Sequence, residues 1–295
     1  MTSKLFSVTI DSTADGAKIG ILTLDQPGRP VVVIDQALLE KLDATLDSLP
    51  ADLDGFILAS AADRAFVAGA DLKAIMALDD AGLHTYLEFG ARVFQKLADL
   101  PCPTAAAIHS TVLGGGLELA MHCDGLIGVV DPDAKPYLVG LPEAGLKICP
   151  GWGGTNLLPA RIDPKSAVVA TANGIPFKSN VAYELGIFDA TSPTRDGLIE
   201  VAKEWLSTQS KPNRTGTPSR CIQTSDGDVF EAAMVDASDE IAPSLHADAV
   251  LDAVKTGICV GWAAAIKSER DHLVSLRHSE LAQEAIEAFF SKSKK

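Results

Sequence analysis

The sequence predicts an α/β fold, and three features of it lead there. Short apolar runs with strand-like alternation are interleaved with longer stretches of helical periodicity. Glycine-rich turns stand between the runs and the helices that follow them. An apolar fraction of 47% over 295 residues supplies core material for one large domain or two small ones.

Residues 5–10 and 18–25 alternate as strands around a polar, Gly-containing turn. Asp35 then caps a helix to about Leu49, with Leu38, Leu39, Leu42, Leu46 and Leu49 on its apolar face. A buried strand, Gly55 to Ala59, leads into a loop of small residues at 64–73 and a helix beginning at Asp71. A long helix runs from about Asp80 to Leu100, where Pro101 and Pro103 stop it. The strand Thr104 to Ile108 precedes a triple-glycine turn and a helix carrying Glu118. Strands near Gly125–Val130 and Tyr137–Val139 lead into a loop around Glu143, and a new helix starts at about Thr155. Residues 209–228, rich in Ser, Thr, Pro, Gly and Asn, read as a loop or partly disordered linker. Helices at about 229–236, 247–267 and 270–291 follow, the last with a broad apolar face. The expected division is a core over 1–195 and a helical region over 196–295.

The balance of 25 Lys and Arg against 39 Asp and Glu gives a formal charge of −14. Such a surface repels nucleic acid and anionic membranes. The basic cluster at Lys292, Lys294 and Lys295 reads as a solvated end. The cysteines Cys102, Cys123, Cys149, Cys221 and Cys259 form no Cys-x-x-Cys pair and no metal-binding spacing. Reduced, mostly buried thiols are expected, so no metal is assigned and a cytoplasmic setting fits. No apolar run is long enough to span a bilayer, which predicts a soluble protein.

Chemistry concentrates in three segments. Leu113-Gly114-Gly115-Gly116-Leu117-Glu118 places glycines before a helix whose first turn carries an acid. Glycines allow close approach of a backbone N–H, and the helix start adds partial positive charge, which suits a developing oxyanion. The bland reading of such glycines is close helix packing. Residues 64–73, Arg-Ala-Phe-Val-Ala-Gly-Ala-Asp-Leu-Lys, can present a second N–H at Ala70. Residues 140–155, Gly-Leu-Pro-Glu-Ala-Gly-Leu-Lys-Ile-Cys-Pro-Gly-Trp-Gly-Gly-Thr, form a glycine- and proline-rich loop with an acid at Glu143. Two N–H donors and two carboxylates can polarise a carbonyl and move protons beside it. The apolar neighbours Leu117, Leu119, Ala120 and Met121 point to burial of Glu118. Asp71 reads first as a helix cap, His109 and His122 as structural histidines, and Cys149 as packing.

These segments, in this order, resemble the enoyl-CoA hydratase/isomerase (crotonase) superfamily. The nearest likeness is to the hydratase domain of the bacterial fatty-acid oxidation complex alpha subunit. Leu22-Thr23-Leu24-Asp25-Gln26-Pro27-Gly28, Gly140-Leu141-Pro142-Glu143 and Ala182-Tyr183-Glu184-Leu185-Gly186-Ile187-Phe188-Asp189 carry it as well. The likeness covers nearly the whole chain and is weakest over about 209–245. It implies a spiral of repeated β-β-α turns with a C-terminal helical subdomain, and a homotrimer or dimer of trimers. It implies Glu118 and Glu143 as the catalytic acids, the Ala70 and Gly115 amides as the oxyanion hole, and Gly151 as a substrate-placing glycine. Ala68, Asp71, Arg64 and Lys73 around the Ala70 loop, with Trp152 beside the acyl chain, complete the expected substrate contacts. The implied reaction is hydration of trans-2-enoyl-CoA thioesters in fatty-acid oxidation or related metabolism. Coenzyme A is then part of the substrate, and no cofactor is expected. A double-bond isomerase, and a catalytically decayed CoA-ester-binding subunit, are the alternatives. Three departures from the family pattern stand out: His109-Ser110 in place of Asn-Gly, Lys147 in place of a glycine, and a longer segment around Pro132 to Pro136.

Overall fold

The structure, a computed structural model, describes residues 5–13 and 16–292. The expected basic tail of Lys292, Lys294 and Lys295 lies outside the described residues and side chains. In chain order the first elements are β1 (Ser7–Ser12), β2 (Lys18–Leu24), α1 (Gln36–Asp47), β3 (Gly55–Ser60), α2 (Leu72–Ala77) and α3 (Asp80–Ala98). Then come β4 (Thr104–Ile108), β5 (Val112–Leu113), α4 (Gly115–Met121), β6 (Gly125–Val129) and β7 (Leu138–Gly140). A 3-10 turn at Glu143–Leu146 precedes α5 (Gly154–Leu157), α6 (Pro164–Asn173), β8 (Phe177–Lys178), α7 (Ser179–Glu184) and β9 (Ala190–Ser192). The chain continues through α8 (Leu198–Ser207), α9 (Gly227–Ala237), α10 (Leu245–Val260), α11 (Trp262–Leu276) and α12 (Glu280–Lys292).

These elements form two compact units. The first gathers residues 1–69, 92–139 and 177–219. Its six-stranded sheet has the order β1-β2-β3-β4-β6-β9. The edge pair β1 and β2 is antiparallel, and every later neighbour is parallel. Parallel strands need both faces covered, and their apolar runs provide for it. Helix α8 lays Leu198, Ala202 and Leu206 over Ile19, Ile57, Ala105 and Ile127. Helix α1 begins where the sequence placed it, with the Asp35 carboxylate accepting the Leu38 N–H at 2.8 Å. A smaller sheet has the order β5-β7-β8.

The segment 209–219 is irregular and is tied to this unit by Arg214. Its guanidinium donates to both oxygens of Asp124, at 2.7 and 2.8 Å, and to the carbonyls of Leu100 and Cys102. Nothing in the spacing of the sequence marked that residue.

The second unit gathers residues 70–91, 140–176 and 220–295. Helix α6 starts at an Asp163 cap with Pro164 in its first turn and ends at Gly174. Helices α6, α9 and α10 enclose a core that includes Ile148, Val168, Phe230, Val250, Val254 and Ile286. The helices expected over 247–267 and 270–291 break elsewhere. Gly261, with φ of 102°, separates α10 from α11, because that backbone conformation disfavours a side chain. The second break follows Arg277, whose buried guanidinium is held by the carbonyls of Ile75 and Leu78 and by Asp80. The helix expected from Thr155 is the single turn α5.

Among the described residues no helix is long and apolar enough to cross a membrane, and no group of three metal-ligating side chains occurs. Cys102, Cys123, Cys149 and Cys221 are buried free thiols, and Cys259 is an exposed one.

Candidate active site

In the first unit the triple glycine forms the start of α4. Gly114 adopts φ of 54° as the helix cap, leaving Gly115 and Gly116 as the first helical residues. The first N–H groups of a helix have no intrahelical acceptor, so this end presents donors. Gly116 is glycine because a Cβ there would lie 2.5 Å from the Val67 carbonyl oxygen. That approach holds the 65–69 loop alongside the 111–116 turn. Phe66 N–H donates to the Thr111 carbonyl at 2.8 Å, and Val67 bridges to Val112. The Ala70 N–H belongs to the peptide bond that leaves Gly69, the last residue of this loop. Glu118, in the first turn of α4, is 1% exposed, as its apolar neighbours predicted.

The surrounding residues divide by exposure. Arg64 and Ala68 are exposed, and the Ala68 N–H donates to the Val32 carbonyl at 2.8 Å. The two histidines take structural roles. His109 Nε2 meets the Ala62 carbonyl at 2.6 Å, and His122 Nδ1 meets the Glu118 carbonyl at 2.8 Å. Burial lowers both pKa values, that of His122 to about 4, which keeps its ring neutral. The expected longer segment is an exposed loop over 131–136.

In the second unit Ala70 is half-buried, and Asp71 is the cap of α2. Its carboxylate accepts the N–H groups of Lys73 and Ala74 at 3.0 and 3.3 Å, a cap's use of that side chain. Lys73 is exposed, its Nζ 5.7 Å from the centre of the Phe290 ring. Glu143 opens the 3-10 turn, and its Oε2 is buried with no hydrogen-bond partner. Burial pushes its carboxyl up to about 8, and the nearby Glu269 carboxyl pushes the same way. Lys147 closes the turn at φ of 64°, which accounts for the glycine expected at this place. It is the one non-glycine residue with positive φ among the described residues.

Gly151 and Trp152 lie within the loop beyond. A Cβ on Gly151 would meet Leu273 at 3.0 Å and Leu87 at 3.3 Å. Trp152 is 1% exposed, donates Nε1–H to the Leu87 carbonyl at 2.9 Å and meets Tyr86 edge-on. It is packed against the first half of α3. Sequence reasoning missed Glu269, which is wholly buried on α11. Lys267-Ser268-Glu269-Arg270-Asp271 looks like a solvated stretch. Helical spacing was the usable signal, since Trp262, Ala265, Ile266, Leu273 and Leu276 are buried on the face that Glu269 shares.

Residues 15–217 match the family model described as Enoyl-CoA hydratase/isomerase. The chain belongs to the enoyl-CoA hydratase/isomerase family. It is 35% identical over 197 residues to the fatty acid oxidation complex subunit alpha of Vibrio cholerae serotype O1, covering 65% of this chain. The match spans 27% of that relative's length. Two solved structures share the crotonase fold. An enoyl-CoA hydratase from Bacillus halodurans superposes with a TM-score of 0.65 at 18% identity, covering 95% of this chain and 99% of its own. A carnitinyl-CoA dehydratase from Mycobacterium thermoresistibile gives 0.69 at 19% identity, covering 96% and 89%. The expected α/β crotonase fold is therefore the fold of this chain, with helices over its C-terminal region.

Proposed function

We propose that this protein hydrates trans-2-enoyl-CoA thioesters. The observation that carries the reading is the setting of Glu143, whose Oε2 is buried without a hydrogen-bond partner, so that burial pushes the carboxyl up to about 8. Hydration needs a proton for the α-carbon, and an acid still protonated near neutral pH is suited to give it. In this reading the Gly115 and Ala70 amides donate to the thioester oxygen. The ionised Glu118 takes a proton from water as the water oxygen bonds to the β-carbon. The π electrons move onto the thioester oxygen as an enolate, which collapses as Glu143 protonates the α-carbon. Proton exchange with solvent then returns both acids to their starting states. Arg64 and Lys73 supply cations toward the polyanionic coenzyme A in an otherwise acidic chain, and Gly151 positions the acyl group. The reaction uses no cofactor beyond the CoA already in the substrate.

The test is loss of the enoyl thioester absorbance with crotonyl-CoA and with a longer enoyl-CoA. Glu118→Gln and Glu143→Gln are each expected to lower kcat by about 10²–10⁴ while CoA-ester binding survives. Wild-type turnover in Glu118→Gln sinks the two-carboxylate reaction. Retained double-bond isomerisation in that variant points to an isomerase instead. Substituting Gly115 by proline deletes one amide donor and is expected to cost about 10²–10³ in kcat once circular dichroism shows it folded. Leu281 and Phe289 stand exposed on α12 and are proposed to meet further copies in a trimer or dimer of trimers. A fully active monomer in light scattering at micromolar concentration overturns that assembly.

A further inference from the structure

In the reading above Gly151 is where the acyl group meets the second unit, so whatever packs on Gly151 bounds the room for that group. Two leucines from different helices of this unit do so. A Cβ on Gly151 would lie 3.0 Å from Leu273 of α11 and 3.3 Å from Leu87 of α3. Both separations are shorter than an ordinary carbon contact of about 3.5–4.0 Å, and both leucines are buried. The next residue continues the barrier. The Trp152 indole lies against α3 at Gly90, where a Cβ would come within 2.5 Å of Nε1, so glycine at 90 is what admits the ring. Its Nε1–H donates to the Leu87 carbonyl at 2.9 Å, and Tyr86 meets it edge-on at 5.6 Å. The loop is also fastened to α11. Glu269 accepts the Gly153 N–H at 2.5 Å, and the Thr155 N–H and hydroxyl at 2.8 and 2.5 Å. Leu273 stands one turn along the same helix, which thus carries both the anchor and one side of the barrier.

We propose that Leu87, Trp152 and Leu273 close the acyl end of the site and restrict the protein to short-chain alkyl enoyl thioesters of the crotonyl class. The inference rests on the hydratase reading, which supplies the role of Gly151. Each carbon of a longer chain would have to displace a leucine or the indole from close packing, which a protein interior resists. A leucine alone can turn to another rotamer and make way. Here the indole is held to α3 by its hydrogen bond, and the loop is held to α11 by three more, so the barrier does not open by a rotamer change. The same residues select an alkyl end. The leucines offer no polar atom, and the indole N–H is already bonded to Leu87. A hydroxyl or carboxylate at the end of the acyl group would lose its water there without gaining a partner.

The experiment measures, by calorimetry, the affinity of the full chain for saturated acyl-CoAs from acetyl to decanoyl, which needs no turnover. Affinity is expected to climb about fourfold per methylene as far as butanoyl-CoA, the worth of one buried CH₂, and then to level off or fall. A climb that continues through decanoyl-CoA overturns the inference, because the chain then has an open channel. An affinity that is flat from acetyl-CoA onward overturns it equally, because the acyl group then never meets these side chains. Leu273→Ala removes the α11 side of the barrier and is expected to move the break to longer chains, with octanoyl-CoA gaining about tenfold or more. An unmoved break in the folded variant overturns the inference, since a purely structural role changes stability alone. Should Leu273→Ala fail to fold, Leu87→Ala opens the barrier from α3 with the same expectation, and the wild-type series decides by itself. Turnover separates this idea from the hydratase reading. An early break in affinity without turnover on any enoyl-CoA supports the barrier and ends the hydratase reading. Equal turnover of crotonyl-CoA and decenoyl-CoA ends the barrier and leaves the hydratase reading standing.

Discussion

Glu118 is a buried acid and Glu143 a half-buried one with a buried Oε2, and their environments are built in different ways. Glu118 takes its burial from its own helix, since every residue of α4 from Gly115 to Met121 is buried. The glycines that open that helix and the Val67 loop beside it complete the setting within the first unit. Glu143 sits in a single 3-10 turn of the second unit, where desolvation is the main cause of its raised pKa. The loop that follows is tied to Glu269 by bonds spanning 114 and 116 residues of chain. An acid buried by local pattern is fixed by packing. The Glu143 carboxyl is raised chiefly by desolvation, and pH can reach it.

The largest expected effect tests how far the first unit depends on one non-local contact of its own. Arg214 and Asp124 are a mostly buried bidentate pair, with side chains 14% and 16% exposed. Arg214→Met leaves Asp124 without its cation and two carbonyls without their donor, and is expected to cost about 3–5 kcal/mol in urea unfolding. A loss below about 1 kcal/mol shows the 209–219 loop to be dispensable for that unit. Next in size is Gly116→Ala. Its Cβ has nowhere to go against the Val67 backbone, so about 1–3 kcal/mol of stability is expected to be lost. An unchanged melting temperature breaks the claim that close packing alone sets the Glu118 side of the comparison.

The third prediction concerns pH and belongs to the Glu143 side. A folded-state pKa raised from 4.5 to about 8 means that the native state binds the proton more tightly than the unfolded chain. Stability from this group is fully present below the unfolded value and is lost as pH rises through the folded one. Wild-type stability is therefore expected to decline between pH 4.5 and about 8 relative to Glu143→Gln. Urea midpoints of the two proteins across that range check it, and parallel curves break it.

Much of this was legible in the sequence, for reasons the same comparison exposes. Strands β2, β3, β4 and β6, the Asp35 cap and the Gly114-Gly115-Gly116 turn announce themselves because their determinants lie within a few residues. Asp71 caps α2 through the N–H groups of Lys73 and Ala74, equally local partners. Arg214, Arg277 and Glu269 stayed hidden because each acts on backbone or side chains far away in sequence. The break at Gly261 was missed because α10 and α11 share one apolar period, and only the backbone angle separates them. The anchoring of Trp152 was likewise out of reach, because its indole N–H bonds to the Leu87 carbonyl, 65 residues away.

The smallest expected effect is a gain. Lys147 holds a left-handed conformation in which its Cβ crowds the backbone, at a cost of roughly 1–2 kcal/mol for a non-glycine residue. Glycine removes that crowding but gives back about 0.5–1 kcal/mol through the greater freedom of the unfolded chain. Lys147→Gly is thus expected to stabilise by up to about 1 kcal/mol, a rise of about 2–4 °C in melting temperature. Lys147→Ala separates backbone from charge, because it keeps the strained conformation and loses only the ammonium group. That ammonium also bears on His246, whose pKa is lowered mainly by burial and further by Lys147. Both variants are therefore expected to raise the His246 pKa in an NMR titration, while Lys147→Gly alone raises the melting temperature by relief of strain. Equal melting temperatures for the two variants remove backbone strain as the reason and leave the charge of Lys147 as the term that differs from the family's glycine.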